Sequence, residues 1–374
     1  QSVTNYSRRQ HRRIRWIIGL EYRTTIEQLK NDDSPWIVGF SGGKDSSLVV
    51  QVLICALCQL PVSKRRKLHV FYCDTGVEIP VLKDYIENTL NSIEKEGRKL
   101  GVDISVKAIR PPVKDRYFVK VIGRGYPPPT NIFRWCTDRL RIDPIQAAIK
   151  QYVGNGEATV VLGTRFSESE ERDKILKTNA LDNPYLFKQQ GYQKTTLFCP
   201  IVDFTTEDVW EGLHCINGVS AIDLHLISKI YKEISGECPI IRLPETNPCS
   251  KGRFGCWTCT VVRKDKASKN LISNGYKSLE PLYEFREWLL SIRDDIEFRC
   301  TVRRNGLDGL GPFRLSARVK ILEMLITAQE ASGHDLISEE ELSEIYRLWQ
   351  LDKSNRNYAE DSKKHLTSQS TRTQ

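Results

Sequence analysis

Apolar and polar positions along this chain follow two different rhythms. Through the first half, short β-branched and aromatic runs are separated by longer amphipathic stretches. Trp36–Phe40 reads as a strand, Asp45–Cys58 as a helix, Leu68–Tyr72 as the next strand and Val81–Leu100 as a helix. Asp103–Ile109 follows as a strand, Asp143–Tyr152 as a helix and Thr159–Leu162 as a further strand. Such alternation builds right-handed crossovers and a mostly parallel sheet covered on both faces, with ligands at the carboxyl ends of the strands. Beyond Thr205 the spacing turns helical, over Glu207–Leu213, Ile222–Ile234, Ser278–Ile296, Ser316–Gln329 and Glu339–Leu351, without a strand signal of comparable strength. Four segments are expected: a basic helical segment over 1–33, an α/β domain over 34–204, a mostly helical domain over 205–352 and a polar tail over 353–374.

The 374 residues are 40% hydrophobic and 28% charged, enough apolar material for one large core or two unequal ones, which excludes a disordered tail. No apolar run approaches the ~20 residues a membrane-spanning helix needs, and no secretory pattern opens the chain, so a soluble cytoplasmic protein is expected. Lys plus Arg number 56 against 47 acidic residues, a formal +9 that favours a polyanionic partner without naming one. The excess gathers at Arg8, Arg9, Arg12, Arg13 and Arg15, at Lys64–Lys67, and at Arg303 with Arg304; each cluster alone reads first as solvated surface. Under reducing conditions, eleven cysteines point to metal or catalysis rather than disulfides.

Ser41-Gly42-Gly43-Lys44-Asp45-Ser46 follows the first strand and opens a helix, where glycines let the backbone wrap an anion and first-turn N–H groups face it. Lys44, Ser41 and Ser46 can add charge-assisted and hydroxyl hydrogen bonds to phosphate oxygens. The spacing departs from a Walker loop, with Val38 where that pattern needs Gly and Asp45 where it needs Ser or Thr. The competing reading is a plain strand-to-helix turn.

Later, Cys238, Cys249, Cys256 and Cys259 crowd a polar stretch that also carries Pro239, Gly252 and Gly255. Four soft donors with a closing C-x-x-C can hold tetrahedral Zn or a cubane iron–sulfur cluster, and spacing does not choose between them. Cys136 lies between Arg134 and Arg139, cations that favour thiolate. It reads equally as a persulfide relay and as a partly buried thiol lining a nucleotide pocket. His69, His214, His225, Trp210 and Trp257 read as packing residues.

Ser41–Ser46 resembles the SGGxDS loop of the ATP-pyrophosphatase superfamily. Cys73-Asp74-Thr75-Gly76-Val77-Glu78, Trp135-Cys136-Thr137-Asp138-Arg139-Leu140-Arg141, Gly163-Thr164-Arg165 with Glu168-Ser169 and Arg172, and Cys199–Thr205 with Asp208-Val209-Trp210 are similar to successive segments of its phosphoadenylylsulfate-reductase-like branch. With Gly236–Pro239 and Gly252–Cys259 added, the chain resembles the DndC family, the sulfurtransferases of DNA phosphorothioation.

The resemblance implies a parallel-sheet, nucleotide α-hydrolase-like PP-loop domain, followed by a mostly helical domain with a four-cysteine cluster site. It implies ATP held by Ser41, Gly42, Gly43, Lys44, Asp45, Ser46, Asp74, Gly163, Arg165 and Arg172, with Asp45, Cys136 and Arg165 at the chemistry. Mg²⁺ is expected beside Asp45 or Asp74, and a [4Fe–4S] cluster on Cys238, Cys249, Cys256 and Cys259. The implied activity hydrolyses ATP to AMP and pyrophosphate, activating a DNA backbone phosphate so that sulfur replaces a non-bridging oxygen, in restriction–modification defence. Implied partners are the DNA backbone, a cysteine desulfurase and other phosphorothioation subunits, with no membrane. The alternatives are a phosphoadenylylsulfate reductase, a tRNA thiolase and a catalytically degenerate nucleotide-sensing subunit.

Overall fold

The computed structural model describes residue 19 and residues 22–154, 156–166, 170–188, 195–216, 219–235 and 254–354. After a helix over 22–31 (α1), the expected alternation appears: β1 Trp36–Phe40, α2 Lys44–Cys58, β2 Leu68–Cys73, α3 Pro80–Leu100, β3 Ile104–Ile109, α4 Asp143–Val153 and β4 Ala158–Val161. α5 Glu170–Thr178 leads to β5 Leu186–Lys188 and β6 Thr195–Phe198, two strands too short to show in the periodicity. The sheet order is β3-β2-β1-β4-β6-β5, and only the β5–β6 pairing is antiparallel. The helices α6 Thr206–Cys215, α7 Leu224–Ser235, α8 Lys266–Ser273, α9 Glu280–Ile292, α10 Leu315–Ser332 and α11 Glu339–Lys353 follow. The basic segment upstream of residue 19 and the polar tail lie outside the described residues, and no described helix is long and apolar enough to cross a membrane.

The chain forms two compact units, neither continuous in sequence. One holds residues up to Cys73, Pro80–Ile109 and Ile145–Phe254; the other holds Asp74–Ile79, Arg110–Pro144 and Gly255 onward. A linear reading of the pattern divides the chain near residue 205, whereas spatial contacts put α6 and α7 with the sheet. They move Asp74–Ile79 and Arg110–Pro144 to the other unit. Periodicity reports local structure and carries no record of which segments meet.

In the sheet unit, α2 is buried almost all round, from Leu48 through Leu57. Ile37, Phe71, Ile109, Ile149 and Val160 fill one core cluster, and Leu176, Phe187, Cys199 and Val202 a second. Each fully buried side chain of this kind contributes ~1.5–3 kcal/mol relative to exposure. The basic run at Lys64–Lys67 has a local task. Arg65 donates to the carbonyls of Cys58 and Leu100, at the ends of α2 and α3, and Arg66 donates to those of Ser34, Leu29 and Asp32. These guanidinium groups satisfy acceptors that helix ends leave open.

Asp32 anchors the start of β1. Its carboxylate accepts from the Ser34 N–H at 2.8 Å, the Trp36 indole at 2.9 Å and the Thr159 hydroxyl. Burial opposes its ionisation, but the hydrogen bonds from Thr159, Ser34 and Trp36 outweigh it and hold the pKa below the usual 3.8. Asp32→Ala is expected to cost about 2 kcal/mol, because it strands buried donors. A lowered folded pKa means that this stability is present above pH 3.8 and is lost as pH falls through the folded value. Urea titrations at neutral and acid pH check it: a variant as stable as the parent at pH 7, or equally weakened at pH 2.5, contradicts the assignment.

Candidate nucleotide and thiol sites

Reversal of strand order between β1 and β4 opens a crevice at their carboxyl ends, where open α/β sheets bind ligands. Both segments picked out in the sequence lie there: Ser41–Ser46 leaves β1, and Gly163–Arg165 leaves β4. Gly42 has φ +78°, and a Cβ there would meet Ile86 Cγ1 at 2.4 Å, so the turn requires glycine. The Ser46 hydroxyl donates to the Gly43 carbonyl at 3.0 Å and accepts from the Ser41 N–H at 3.2 Å, drawing the loop into a ring. At Gly163 a Cβ would stand 2.8 Å from the Asp45 carbonyl carbon and 2.9 Å from the Ser46 nitrogen, so the second loop packs backbone against backbone onto the first turn of α2.

Charge at this turn is organised around Asp45. Lys44 Nζ lies 2.8 Å from one carboxylate oxygen and Arg165 Nε 2.6 Å from the other, with Lys44 and Arg165 each 6% exposed. Arg165 also donates to the Phe204 carbonyl at 2.9 Å, tying the loop after β4 to the segment after β6. Arg165 is therefore a buried partner of Asp45. Two cations around one carboxylate, at a helix start whose Asp45 and Ser46 N–H groups need acceptors, leave net positive potential suited to a polyphosphate.

Tyr231, from α7, completes the turn. Its hydroxyl accepts the Lys44 N–H at 3.1 Å, its ring lies 5.6 Å beneath Lys44 Nζ, and Trp210 and Phe254 pack on it with centroids 5.2 Å away. Burial, with the nearby Asp45 charge, pushes its phenol far above the ordinary value, so it stays neutral. Sequence reasoning missed Tyr231, because a tyrosine in an amphipathic helix carries no mark of the loop it reaches nearly two hundred residues upstream.

The other unit holds Asp74 and the thiols. Asp74 is 2% exposed; its oxygens accept from Arg110 Nε at 2.7 Å and the Gly76 N–H at 3.0 Å. Both carboxylates expected beside Mg²⁺ are thus engaged by cations or backbone. Arg172 falls in α5, but its side chain lies outside the described residues, as do Glu168, Ser169, Cys238 and Cys249.

Cys256 and Cys259 share one turn, the Cys259 N–H donating to the Cys256 carbonyl at 3.1 Å. Cys256 pairs as an isolated bridge with Glu78, and the Trp257 N–H donates to the Val77 carbonyl at 3.0 Å, so the Asp74–Glu78 stretch forms one wall. Cys256 Sγ lies 3.6 Å from Arg141 Nη2 and 3.7 Å from Thr75 Oγ1. Burial pushes its thiol up to about 11, against the pull of Arg141.

Cys136 comes into electrostatic range of Cys259, and Tyr117 feels Cys136, Cys259 and Cys256 together. The expected activation of Cys136 by Arg134 and Arg139 does not occur. Burial, then Cys259, raises its thiol, and Arg141 is the cation that opposes them. Arg134 turns to Asn131, and Arg139 turns to Asp143 at 3.0 Å.

Arg286 and Glu78 were also missed. Fully buried, Arg286 donates to the Cys259 carbonyl from Nε and Nη2 at 3.0 and 2.8 Å, to the Val262 carbonyl, and from Nη1 to the Arg263 carbonyl at 3.4 Å. Glu78 accepts the Thr75 N–H at 3.0 Å, and burial raises its pKa; its second oxygen is buried without a hydrogen-bond partner among the described residues.

The soft donors fit an iron–sulfur group as far as they go: two thiols on one turn, with guanidinium and hydroxyl donors beside the sulfur, are what tunes such clusters. Among the described residues no three ligating side chains gather within coordination reach, and half of the expected quartet lies outside them.

A mostly parallel sheet with a glycine-rich, cation-flanked turn at its switch point is the architecture of a nucleotide-binding α/β protein of the PP-loop superfamily. Residues 35–262 match the phosphoadenosine phosphosulfate reductase domain, and the chain belongs to that family, whose members are enzymes. Over 189 residues the chain is 24% identical to an uncharacterized protein of Methanocaldococcus jannaschii, covering 50% of this chain and 38% of that relative's length. Among solved structures it is similar to phosphoadenylyl-sulfate reductase from Candida auris in its phosphate complex, at 11% identity and TM-score 0.33, covering 53% of this chain and 80% of that one. Candida glabrata FMN adenylyltransferase with FAD and inorganic pyrophosphate is 10% identical at TM-score 0.37, covering 70% and 81%. The U34-tRNA thiolase NcsA from Methanococcus maripaludis, with its [4Fe-4S] cluster, is 13% identical at TM-score 0.30, covering 82% and 89%. At these values the likeness is one of outline, and no residue role is transferred from it.

Proposed function

We propose that this chain is an ATP-dependent sulfurtransferase of DNA phosphorothioation, acting in the cytoplasm with a cysteine desulfurase and other subunits of the modification system. The observation that carries the reading is the pairing, in one chain, of a glycine-rich turn flanked by Lys44 and Arg165 with half-buried thiols at Cys136, Cys256 and Cys259. The turn at Ser41–Ser46 holds the β- and γ-phosphates of ATP, with Lys44 and Arg165 stabilising charge as pyrophosphate departs. A non-bridging oxygen of the DNA phosphate attacks the α-phosphorus, forming an O–P bond as the bond to pyrophosphate breaks. Hydrosulfide then attacks the activated DNA phosphorus; the P–S bond forms, and AMP leaves with the former DNA oxygen. Cys256 and Cys259, with Cys238 and Cys249, would hold a [4Fe–4S] cluster, which supplies redox or sulfur-handling capacity when bound.

The test is anaerobic purification, iron, sulfide and zinc analysis, then assay with ATP, a sulfide source and DNA. The expected result is AMP and pyrophosphate from ATP and phosphorothioate dinucleotides in nuclease digests of the DNA. Sulfite from the sulfated nucleotide without pyrophosphate release, or sulfur in RNA alone, overturns the reading. One equivalent of zinc with full activity overturns the cluster.

A further inference from the structure

The stretch from Tyr126 to Asp143 contains an open groove of about 830 Å³, lined by Tyr126, Phe133, Arg134, Trp135 and Arg139 among others. It is built, not incidental. Pro127, Pro128 and Pro129 stiffen one side, and the Pro127 and Pro129 carbonyls accept from the Trp135 indole at 2.9 Å and the Thr260 hydroxyl at 2.7 Å. A tight turn follows: the Thr130 N–H donates to the Phe133 carbonyl at 3.2 Å, and the Phe133 N–H donates to the Thr130 hydroxyl at 3.0 Å. At its tip stands Ile132, 99% exposed, with Phe133 beside it at 46%. This hydrogen-bonded turn holds two adjacent apolar side chains in water, an exposure that burial energetics do not reward.

The surroundings identify the ligand class. Behind Phe133 stand Tyr126 and Trp135, with ring centroids 6.4 and 5.5 Å apart along the Phe133–Tyr126–Trp135 series. Arg134 and Arg139 are exposed at the rim; the Arg139–Asp143 pair, about half-exposed on both sides, is too weak to hold the guanidinium from a phosphate. Asn131, Thr137 and Asp138 add donors and acceptors. Trp135 is 6% exposed and stacked on Tyr117, so it supports the site while Phe133 offers the open ring. An exposed aromatic face takes bases of any sequence, rim arginines take phosphates, and an exposed apolar wedge unstacks neighbouring bases. A peptide ligand would use the apolar tip but gives the paired rim cations no repeated anion to meet.

We propose that the Thr130–Phe133 turn and this groove form a wedge-and-stack site for a nucleic-acid strand: Ile132 enters between neighbouring bases, Phe133 stacks on the one displaced, and Arg134 and Arg139 hold the flanking phosphates. The site rests on the nucleic-acid part of the function proposed above and deepens it. It places unstacked nucleotides on the helical turn that carries Cys136, and implies a substrate that is locally unpaired rather than intact duplex.

The test uses the full chain, DNA oligonucleotides carrying 2-aminopurine, and dye-labelled single-stranded, duplex and RNA versions. Parent protein is expected to bind single strands and to raise 2-aminopurine emission as the base unstacks. Ile132→Ala with Phe133→Ala should weaken single-strand binding roughly 10- to 100-fold and remove the emission change. Arg134→Ala with Arg139→Ala should weaken it and lower the salt slope by about 1.4. All four positions are exposed, so unchanged melting serves as the folding control. Binding within about twofold of the parent in both double variants, or a parent that leaves 2-aminopurine emission unchanged, overturns the wedge. The two readings fail separately. Parent protein that unstacks DNA through these residues but never incorporates sulfur keeps the wedge and sinks the sulfurtransferase. Sulfur incorporation by an Ile132→Ala, Phe133→Ala variant with parental affinity does the reverse.

Discussion

Arg165→Ala is expected to cut pyrophosphate release from ATP by roughly 10²–10³-fold, the loss typical of removing one preorganised charge stabiliser. Arg165 has two tasks at one position. Its Nε fixes the Asp45 carboxylate at 2.6 Å, and its Nη1 ties the loop to the Phe204 carbonyl at 2.9 Å. Alanine leaves Lys44 alone against Asp45, so the potential at the start of α2 falls to near neutral when the polyphosphate arrives. Arg165→Lys should recover part of the rate, since charge survives while the planar fork that reaches two partners does not. Steady-state release of pyrophosphate and AMP decides it. An alanine variant within about threefold of the parent would mean that this turn does not handle the leaving group.

Arg286→Leu should be the most damaging single change in the helical unit, and its signature is structural. The substitution removes the donors that hold the Cys259, Val262 and Arg263 carbonyls on the turn carrying two of the thiols. Hydrogen bonds from a charged donor are worth about 1.5–3 kcal/mol each and Arg286 is fully buried, so a loss near 3–5 kcal/mol is expected, in the range seen when a buried charge network is broken. Iron content per chain should fall with it. Arg286→Lys should retain the charge but not the multiple contacts, and lose iron in intermediate measure. Denaturant titration and iron analysis read the two effects independently. A leucine variant with parental stability and iron would show that the turn holds itself.

The parallel sheet was legible because its strands are buried on both faces and so read as short, unbroken apolar runs, as Trp36–Phe40 does. The Ser41–Ser46 turn was legible because glycine, lysine and serine are needed there for reasons local to a strand-to-helix junction. β5 and β6 were not, since three or four residues give no period to detect. The tasks of Arg65 and Arg66 were hidden too: a basic run in sequence reads as solvated surface, while in space it closes carbonyls from two helix ends.

Cys136 shows where sequence reasoning turns in the wrong direction. Adjacent arginines suggested a lowered thiol pKa, but side chains on a helical turn diverge, so Arg134 and Arg139 find Asn131 and Asp143 instead. Burial and a thiol more than a hundred residues away then set the shift. By itself, the sequence determined the layered α/β architecture, the glycine-rich turn after β1 and the paired cysteines, because each depends on neighbours within a few residues. Only tertiary structure decided that Asp45 takes both Lys44 and Arg165, that Tyr231 backs the loop, that Arg286 braces the thiol turn and that Ile132 stands bare in water. Those facts depend on which distant segments share a few ångströms of space, a relation fixed by packing and carried by no local pattern.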